Sequence, residues 1–450
     1  MTGPRSRADR TADGVAARGR VPPTAFAAWH PAADRPDPVA LLESQASTRI
    51  PDLVPLRYGR MQASPFAFLR GAALPMAADL ATLPRTGLTV QLAGDAHLSN
   101  FGLFASPERD LVFDINDFDE TLPGPFEWDL MRLSASIAVA SRSRGLDAHA
   151  ARHAVRHAAA TYRVRMHEYA AMRAIDTYYA RVDAASVMAF VDLRARPYLK
   201  ATIASAAHHD ALHELPKLTA TDGGRVHIVD RLPVISHPPE AAAPLAGVTL
   251  DRYRDTLQDD RRVLLDRYAI VDAAMKVVGV GSVGLPAYVV LLLAGAPDDP
   301  LFLQVKAAEA SVLARFLGGD DVAHHGERVV LGQRRLQAVS DVLLGWTTGS
   351  GGRHLYVRQL QDQKGSAVIE AMSADDLTDW GELCAWTLAR GHARSGDPAA
   401  IAGYLGDDDA MDRAMGTFGA AYADQTEKDH EALVKAISAG RVKADVEAGA

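Results

Sequence analysis

Gly94-Asp95-Ala96-His97-Leu98-Ser99-Asn100 follows the alternating, β-branched stretch Thr86–Leu92 (TGLTVQL), so the pattern predicts a tight loop leaving the end of a strand. An aspartate and an asparagine on one such loop can present both side chains to a common point. That pair suits phosphoryl transfer, in which a carboxylate takes the proton of the attacking hydroxyl and an amide oxygen holds Mg2+. The competing reading is that Asp95 and Asn100 only cap turns, as these residue types often do. Two other stretches bear on the choice.

The first is Phe113–Thr121 (FDINDFDET), where Asp114, Asp117 and Asp119 end the next predicted strand, Leu111–Ile115. Magnesium is usually held by one or two carboxylates plus phosphates and water. A strand hairpin would return Asp117 beside Asn100. Asp114 is a lesser candidate, as a second metal ligand or a loop-bracing group, while Asp119 and Glu120 read as a solvated acidic turn. The second stretch is Gly279-Val-Gly281-Ser282-Val-Gly284, followed by Leu303-Gln-Val-Lys306. Glycines let backbone N–H groups approach phosphates, and a lysine on a neighbouring strand can neutralise them. The dinucleotide-binding alternative needs a helix opening at the glycines. Here the strand-like PAYVVLLL follows Leu285, which favours a hairpin.

Outward from these stretches, the chain divides by texture. Residues 1–40, rich in Arg, Ala, Pro and Asp, read as a disordered tail. Helical patterns follow from Asp37–Glu43, after Trp128, and from the N-cap candidate Asp147 to about Arg173. Residues 176–268 read as helices over Ala184–Leu212, a hairpin at Arg225–Ile235, a Pro/Ala linker at His237–Pro244 and a charged helix at Leu250–Tyr268. Strands are predicted at Lys276–Val280, Pro286–Leu293, Leu301–Lys306, Val342–Thr347 and His354–Leu360, with a helix at Gly326–Val339 among them. The C-terminal part reads as helices at Asp375–Arg394 and Asp407–Ala439. The fold class expected is therefore α+β.

Composition narrows the function classes. A net charge of −8 argues against a general nucleic-acid binder. The single cysteine, Cys384, excludes an internal disulfide and a multi-cysteine zinc site. The apolar run Ala287–Ala296 is half the length of a membrane span and reads as a buried strand. A cytoplasmic protein is expected, with neither a membrane nor a nucleic acid as partner; the oligomeric state is not readable. His209 and His213 in HHDALHE (His208–Glu214) have the spacing of a helical metal pair, but no third ligand stands near and a solvated helix face is favoured.

Taken together, GDAHLSN, the DFD at Asp117–Asp119, the WDL at Trp128–Leu130, the Gly-rich loop and LQVK resemble the protein-kinase-like superfamily, most closely its aminoglycoside and choline kinase branch. The resemblance implies ATP and Mg2+ as cofactors. It implies Asp95 as catalytic base with His97 beside it, Asn100 and Asp117 as magnesium ligands, and Asp129 as a brace for the catalytic loop. Gly279, Gly281, Ser282, Gly284 and Lys306 would hold phosphates, with Glu327 as the helix partner of Lys306. Ala93 departs from the pattern, which usually has a bracing histidine there.

The motif order is that of a circular permutation, since the catalytic and metal loops precede the phosphate-binding ones and the helix Cys384–Asp397 (CAWTLARGHARSGD) resembles the one that normally leads into the catalytic loop. Such a rearrangement leaves packing intact. The whole-chain pattern, adding KVVGVGSVG, RQLQDQKGS and TLARGHARSGD, resembles a bacterial family known only as domain of unknown function 2252. The expected organisation is a two-lobed fold. Residues 41–175 form the catalytic and metal-binding part of the helical lobe, and 176–268 an insert suited to acceptor recognition. Residues 269–362 form a β-rich nucleotide lobe, and 363–450 the helices completing the helical lobe. The expected activity is phosphoryl transfer to a small-molecule hydroxyl, or to a protein. The alternatives are AMP transfer to protein and a silent nucleotide-binding module. Acidic residues near the cleft suggest a cationic acceptor.

Overall fold

The computed structural model describes all residues except 1–4, 195–196, 207–214, 216, 238–247, 297–298, 320–321, 361–367 and 446–450. The candidate metal pair His209/His213 and most of the Pro/Ala linker lie outside the described residues. The architecture is mixed α+β, a helical part and a sheet part joined along one cleft.

The helical part is built around Phe126–Ser143, a helix buried at every position from Phe126 to Ser141. Such a helix needs partners all round, and it has them. Ala148–Ala171, Ala374–Ser395 and Ala410–Ser438 pack against it, each carrying an apolar face that contributes to one continuous core. Each fully buried large aliphatic side chain there contributes about 1.5–3 kcal/mol. Asp147 caps Ala148–Ala171, as its position predicts, by accepting from the Ala150 N–H at 2.8 Å. The single thiol, Cys384, is fully buried in this core. Four short strands edge it: β1 (Thr89–Leu92), β2 (Phe101–Ala105), β3 (Leu111–Ile115) and β4 (Leu122–Pro125). β1 pairs with β4 and β2 with β3, both antiparallel.

The N-terminal segment departs from expectation. Instead of a disordered tail, Arg7–Arg20 is a helix opened by a capping box between Ser6 and Asp9. It crosses Pro398–Leu405 so closely that a Cβ on Gly14 would sit 1.8 Å from the Ala400 carbonyl oxygen. Arg10–Asp397 at 3.0 Å and Arg18–Asp408 at 2.8 Å flank the crossing. Further on, Arg35 is enclosed between Asp79 (2.7 Å) and Asp429 (2.6 Å), tying the segment to the last helix.

The insert also differs in detail. Its hairpin is β5 (Thr219–Asp222) with β6 (Arg225–Ile228), turning at Gly223-Gly224, both with positive φ. The segment predicted to be the second arm instead supplies β7 (Ile235–Ser236) to the main sheet. That sheet continues with β8 (Ala269–Lys276), β9 (Ala287–Leu293), β10 (Pro300–Ala307), β11 (Gly345–Thr348) and β12 (His354–Gln359). Its order is β11-β12-β10-β9-β8-β7, all antiparallel. β8 and β9 form the expected hairpin around the glycine-rich loop, but the first strand ends at Lys276 instead of running over Lys276–Val280, and Val277–Val280 lie in the loop. On β9, Val290 and Leu292 point into a cluster with Tyr253 and Leu257, whereas Val289 and Leu291 join Leu218 and Ile228 of the hairpin region on the other face. Both faces being covered explains the unbroken apolar run. The predicted charged helix is two, Val248–Asp255 and Asp259–Leu265. Between β10 and β11, the helix His325–Leu336 packs against both β12 and Ala374–Ser395, joining the sheet to the helical part.

Candidate functional site

The loop Gly94–Asn100 is held from below by one helix face. Asp129, in the first turn of Phe126–Ser143, accepts hydrogen bonds from the Ala93 N–H at 2.7 Å and the Gly94 N–H at 2.9 Å. One turn on, Arg132 donates through Nε to Asp95 Oδ1 at 2.8 Å. Another turn on, Ser136 Oγ accepts from the Leu98 N–H at 3.1 Å. Residues at this spacing share a helix face, so the helix fixes three points of the loop at once. Gly94 has φ +85°, and a Cβ there would lie 2.2 Å from the Glu120 carbonyl oxygen, which demands glycine. Ala93 offers no side-chain brace. His392, from Ala374–Ser395, sits 3.2 Å from the Asp129 carboxylate and is itself held 2.8 Å from the Tyr162 hydroxyl.

Within the loop, the Asn100 amide N–H donates to the Asp95 carbonyl at 2.8 Å, and His97 Nε2 lies 3.6 Å from Asp95 Oδ2. Burial pushes the Asp95 carboxyl up to about 6, against the pull of Arg132. His97 is buried and held neutral at pH 7 by burial and by the charges of Arg70 and Arg132. An enclosed carboxylate ionising just below neutrality is suited to accept a proton.

The β2–β3 hairpin returns the chain beside this loop, where the Asn116 N–H donates to the Asn100 carbonyl at 2.8 Å. Asp117 Oδ1 accepts from the Asp119 N–H at 3.1 Å, and Asp117 Oδ2 lies 3.8 Å from Lys306 Nζ on β10. The tighter partner of Lys306 is Asp119, at 2.8 Å, whose other oxygen accepts from the Tyr356 hydroxyl at 2.6 Å. Burial alone would raise Asp119, but Lys306 and Tyr356 outweigh it and hold the carboxyl below its usual range. Lys306 is likewise held above its ordinary value despite burial, by Asp117 and Asp119.

Three expectations change here. Asp119 is no solvated turn residue, because it is the main anionic partner of Lys306. Glu120 is also enclosed; it accepts from the Val312 N–H at 2.7 Å, and burial pushes its carboxyl up to about 7. Glu327 does not reach Lys306: it lies in the first turn of His325–Leu336, where its N–H donates to His324 Nδ1 at 3.2 Å. The neighbouring Arg328 instead pins the acidic turn through the carbonyls of Thr121 (2.6 Å) and Asp119 (2.8 Å). Asp114 is a structural anion rather than a metal ligand. It is 1% exposed and paired with the fully buried Arg390 at 2.5 Å, with backbone N–H donors from Ile115 and Ala338.

The glycine-rich loop is clasped from outside. The Gly279 carbonyl accepts from Arg60, the Val283 carbonyl from Arg49, and the Gly284 carbonyl from the Ile50 N–H at 2.8 Å. Gly279 and Gly284 have positive φ, and a Cβ on Gly281 would come within 3.1 Å of the Arg70 carbonyl oxygen. Ser282 Oγ donates to the Val278 carbonyl at 3.1 Å.

These pieces enclose a cleft of about 530 Å3 lined by Asn100, Asp117, Gly279, Ser282, Lys306 and Gln333. Among the described residues, none of those lining it comes from 176–268. A smaller chamber of about 90 Å3 shares the Asn100–Asp117 and Gly279–Ser282 walls and opens on Asp95 and His97. Hard oxygen donors from Asn100 and Asp117 facing one space suit a divalent cation that also takes phosphate oxygens. Among the described residues, no group of three or more His, Cys, Asp or Glu side chains forms a dedicated metal cluster, and no helix is long and apolar enough to cross a membrane. Sequence reasoning passed over Arg132, His392 and Tyr356. Only Arg132 had a local signal, standing three residues after Asp129 on the same helix face.

No curated protein and no solved structure matches the chain. A family model described as "Uncharacterized protein conserved in bacteria (DUF2252)" matches residues 49–436, so the chain is a member of that bacterial family.

Proposed function

We propose that the protein is an ATP- and magnesium-dependent phosphotransferase on a circularly permuted, two-lobed protein-kinase-like fold. The observation that carries this reading is the meeting of Lys306 with Asp117 and Asp119 beside Asn100 and Asp95, across 187 residues of sequence between Asp119 and Lys306. A protein kinase joins its first strands by the Gly-rich loop and carries the phosphate-binding lysine on the third. Counting from β8, the same parts recur in that order, with a helix after the lysine strand.

In this reading Lys306 and the N–H groups around Gly279–Gly284 bind the nucleotide phosphates, and the acid that pairs with Lys306 comes from the metal-binding turn rather than the helix. Asn100 and Asp117 would hold magnesium, which supplies charge neutralisation at the β- and γ-phosphates. Asp95, aligned by Arg132, takes the proton from the acceptor hydroxyl. Arg328 and Arg358 hold the backbone of the acidic turn, at Asp119 and Asn116, so that Asp117 keeps its place.

Thermal unfolding with and without Mg-ATP tests the proposal. A ligand at a hundredfold excess over Kd stabilises by about 2.7 kcal/mol, and Lys306→Met and Asp117→Asn should each remove that gain. No shift at millimolar Mg-ATP overturns it.

A further inference from the structure

The smaller chamber contains three arginines to which the proposed nucleotide contacts give no role. Arg49, from the turn after Pro38–Ala46, Arg57 on Val54–Gln62 and Arg70 on Pro65–Gly71 all line it, together with Asp95, Asp117, Asp119 and Glu120, and Arg70 also reaches the larger cleft. Arg57 is fully buried and Arg49 is 9% exposed. Among the described residues none of the three has a carboxylate within ion-pair distance. Arg57 donates only to the Gln45 amide oxygen at 3.1 Å and the Gly71 carbonyl at 3.0 Å, which leaves Nε and Nη1 without partners. The Nε atoms of Arg49 and Arg70 are also without partners.

Burying a cation with neither a counter-ion nor full hydrogen bonding is costly. Two other enclosed arginines are paired with carboxylates: buried Arg390 has Asp114 and Arg35 has two aspartates. Burial, and for Arg57 the charge of Arg49, lowers these guanidinium groups, Arg57 to about 9, yet all three stay protonated at neutral pH. Guanidinium forks match phosphate and carboxylate oxygens in pairs.

We infer that Arg49, Arg57 and Arg70 form a binding site for an oxyanion, a phosphate or carboxylate group carried by the acceptor substrate. The assignment to the acceptor rests on the phosphotransferase reading, since Asp95, the proton-accepting group, faces this chamber and not the larger cleft. The chamber has room for a small oxyanion, with a volume of about 90 Å3. The acceptor is then an anionic small molecule, which reverses the cationic acceptor suggested by the acidic residues alone.

Calorimetric titration of the full chain with inorganic phosphate, and separately with Mg-ATP, tests the inference in the wild type and in Arg57→Gln and Arg70→Gln. Arg70 is half-buried, so its variant reports phosphate binding if Arg57→Gln does not fold. The expected result is millimolar or tighter phosphate binding that also occurs with Mg-ATP bound, and that each variant weakens about tenfold or more, the worth of a charge-assisted hydrogen bond. Mg-ATP affinity should stay within about twofold in Arg57→Gln, since Arg57 lines the smaller chamber and not the larger cleft. Phosphate that does not bind the wild type, or that binds the variants equally well, overturns the site. Phosphate and Mg-ATP that compete, with both weakened in the variants, overturn the acceptor assignment and give the arginines to the nucleotide's own phosphates. Phosphate binding with no Mg-ATP binding sinks the phosphotransferase reading and the acceptor assignment with it, while the oxyanion site stands.

Discussion

Asp119→Asn isolates the electrostatic centre of the cleft without reference to any ligand. Lys306, with a side chain 4% exposed, is 2.8 Å from Asp119 and 3.8 Å from Asp117. Removing one partner of a buried pair costs about 3–5 kcal/mol because the other charge is left behind, and a charge-assisted hydrogen bond by itself is worth about 1.5–3 kcal/mol. Two features pull the figure down: Asp117 remains as a second anion, and the Asp119 side chain is 20% exposed. The asparagine oxygen also keeps the Tyr356 hydrogen bond. A loss of about 2–3 kcal/mol is expected in urea unfolding at pH 7, followed by tryptophan fluorescence. Lys306→Met in the same background should then cost less than it does alone, with a coupling of about 1–2 kcal/mol. Because the Asp119 carboxyl is held below its ordinary value, this stability is present above about pH 4 and is lost as pH falls through the depressed value. Additivity of the two substitutions within about 0.5 kcal/mol at pH 7 would refute the pairing.

Asp95→Asn takes the carboxylate from buried Arg132 and should cost stability, while the folded fraction keeps its Mg-ATP affinity and loses turnover about 10²–10⁴-fold, read in single-turnover assays. The wild-type rate should rise with pH through about 6, since Asp95, which faces Arg132, Arg70, His97 and Asp117, must lose its proton to act as base; a rate flat from pH 5 to 8 contradicts that role. Asp114→Ala should cost about 3–5 kcal/mol by stranding Arg390, without changing Mg2+ affinity in the fraction that folds, whereas a metal ligand would lose it. Gly94→Ala should destabilise by about 2–4 kcal/mol, combining a positive φ with a Cβ driven against the Glu120 backbone, and a Tm unchanged from wild type would show the loop to be looser than its contacts imply.

What was readable in the sequence was what local chemistry dictates. The cap at Asp147, the hairpin around Gly279–Gly284, the strand carrying Lys306 and the loop at Gly94–Asn100 are each specified by residues within one turn or one strand. What was not readable depended on distant partners. Arg7–Arg20 has too little apolar surface to stand alone as a helix, and it folds because Gly14 can meet Ala400 at backbone distance. FDINDFDE gives no local means of ranking its acids. Arg390, 276 residues away, makes Asp114 structural, and Lys306, 187 away, draws Asp119 inward. Glu327 had the expected spacing from Lys306, but a closer carboxylate on the acidic turn took that place.

The brace on the Gly94–Asn100 loop has a consequence for synthesis. Asp129 and His392 meet across 263 residues, and at ribosomal rates of 5–20 residues per second the second emerges about 13–53 s after the first. During that interval the nascent chain holds the Gly94–Asn100 loop and the apolar helix Phe126–Ser143 without the Ala374–Ser395 and Ala410–Ser438 helices that cover it. Ala374–Ser395 and Ala410–Ser438 complete the core, so the early half must wait, partly uncovered, for these helices to reach it.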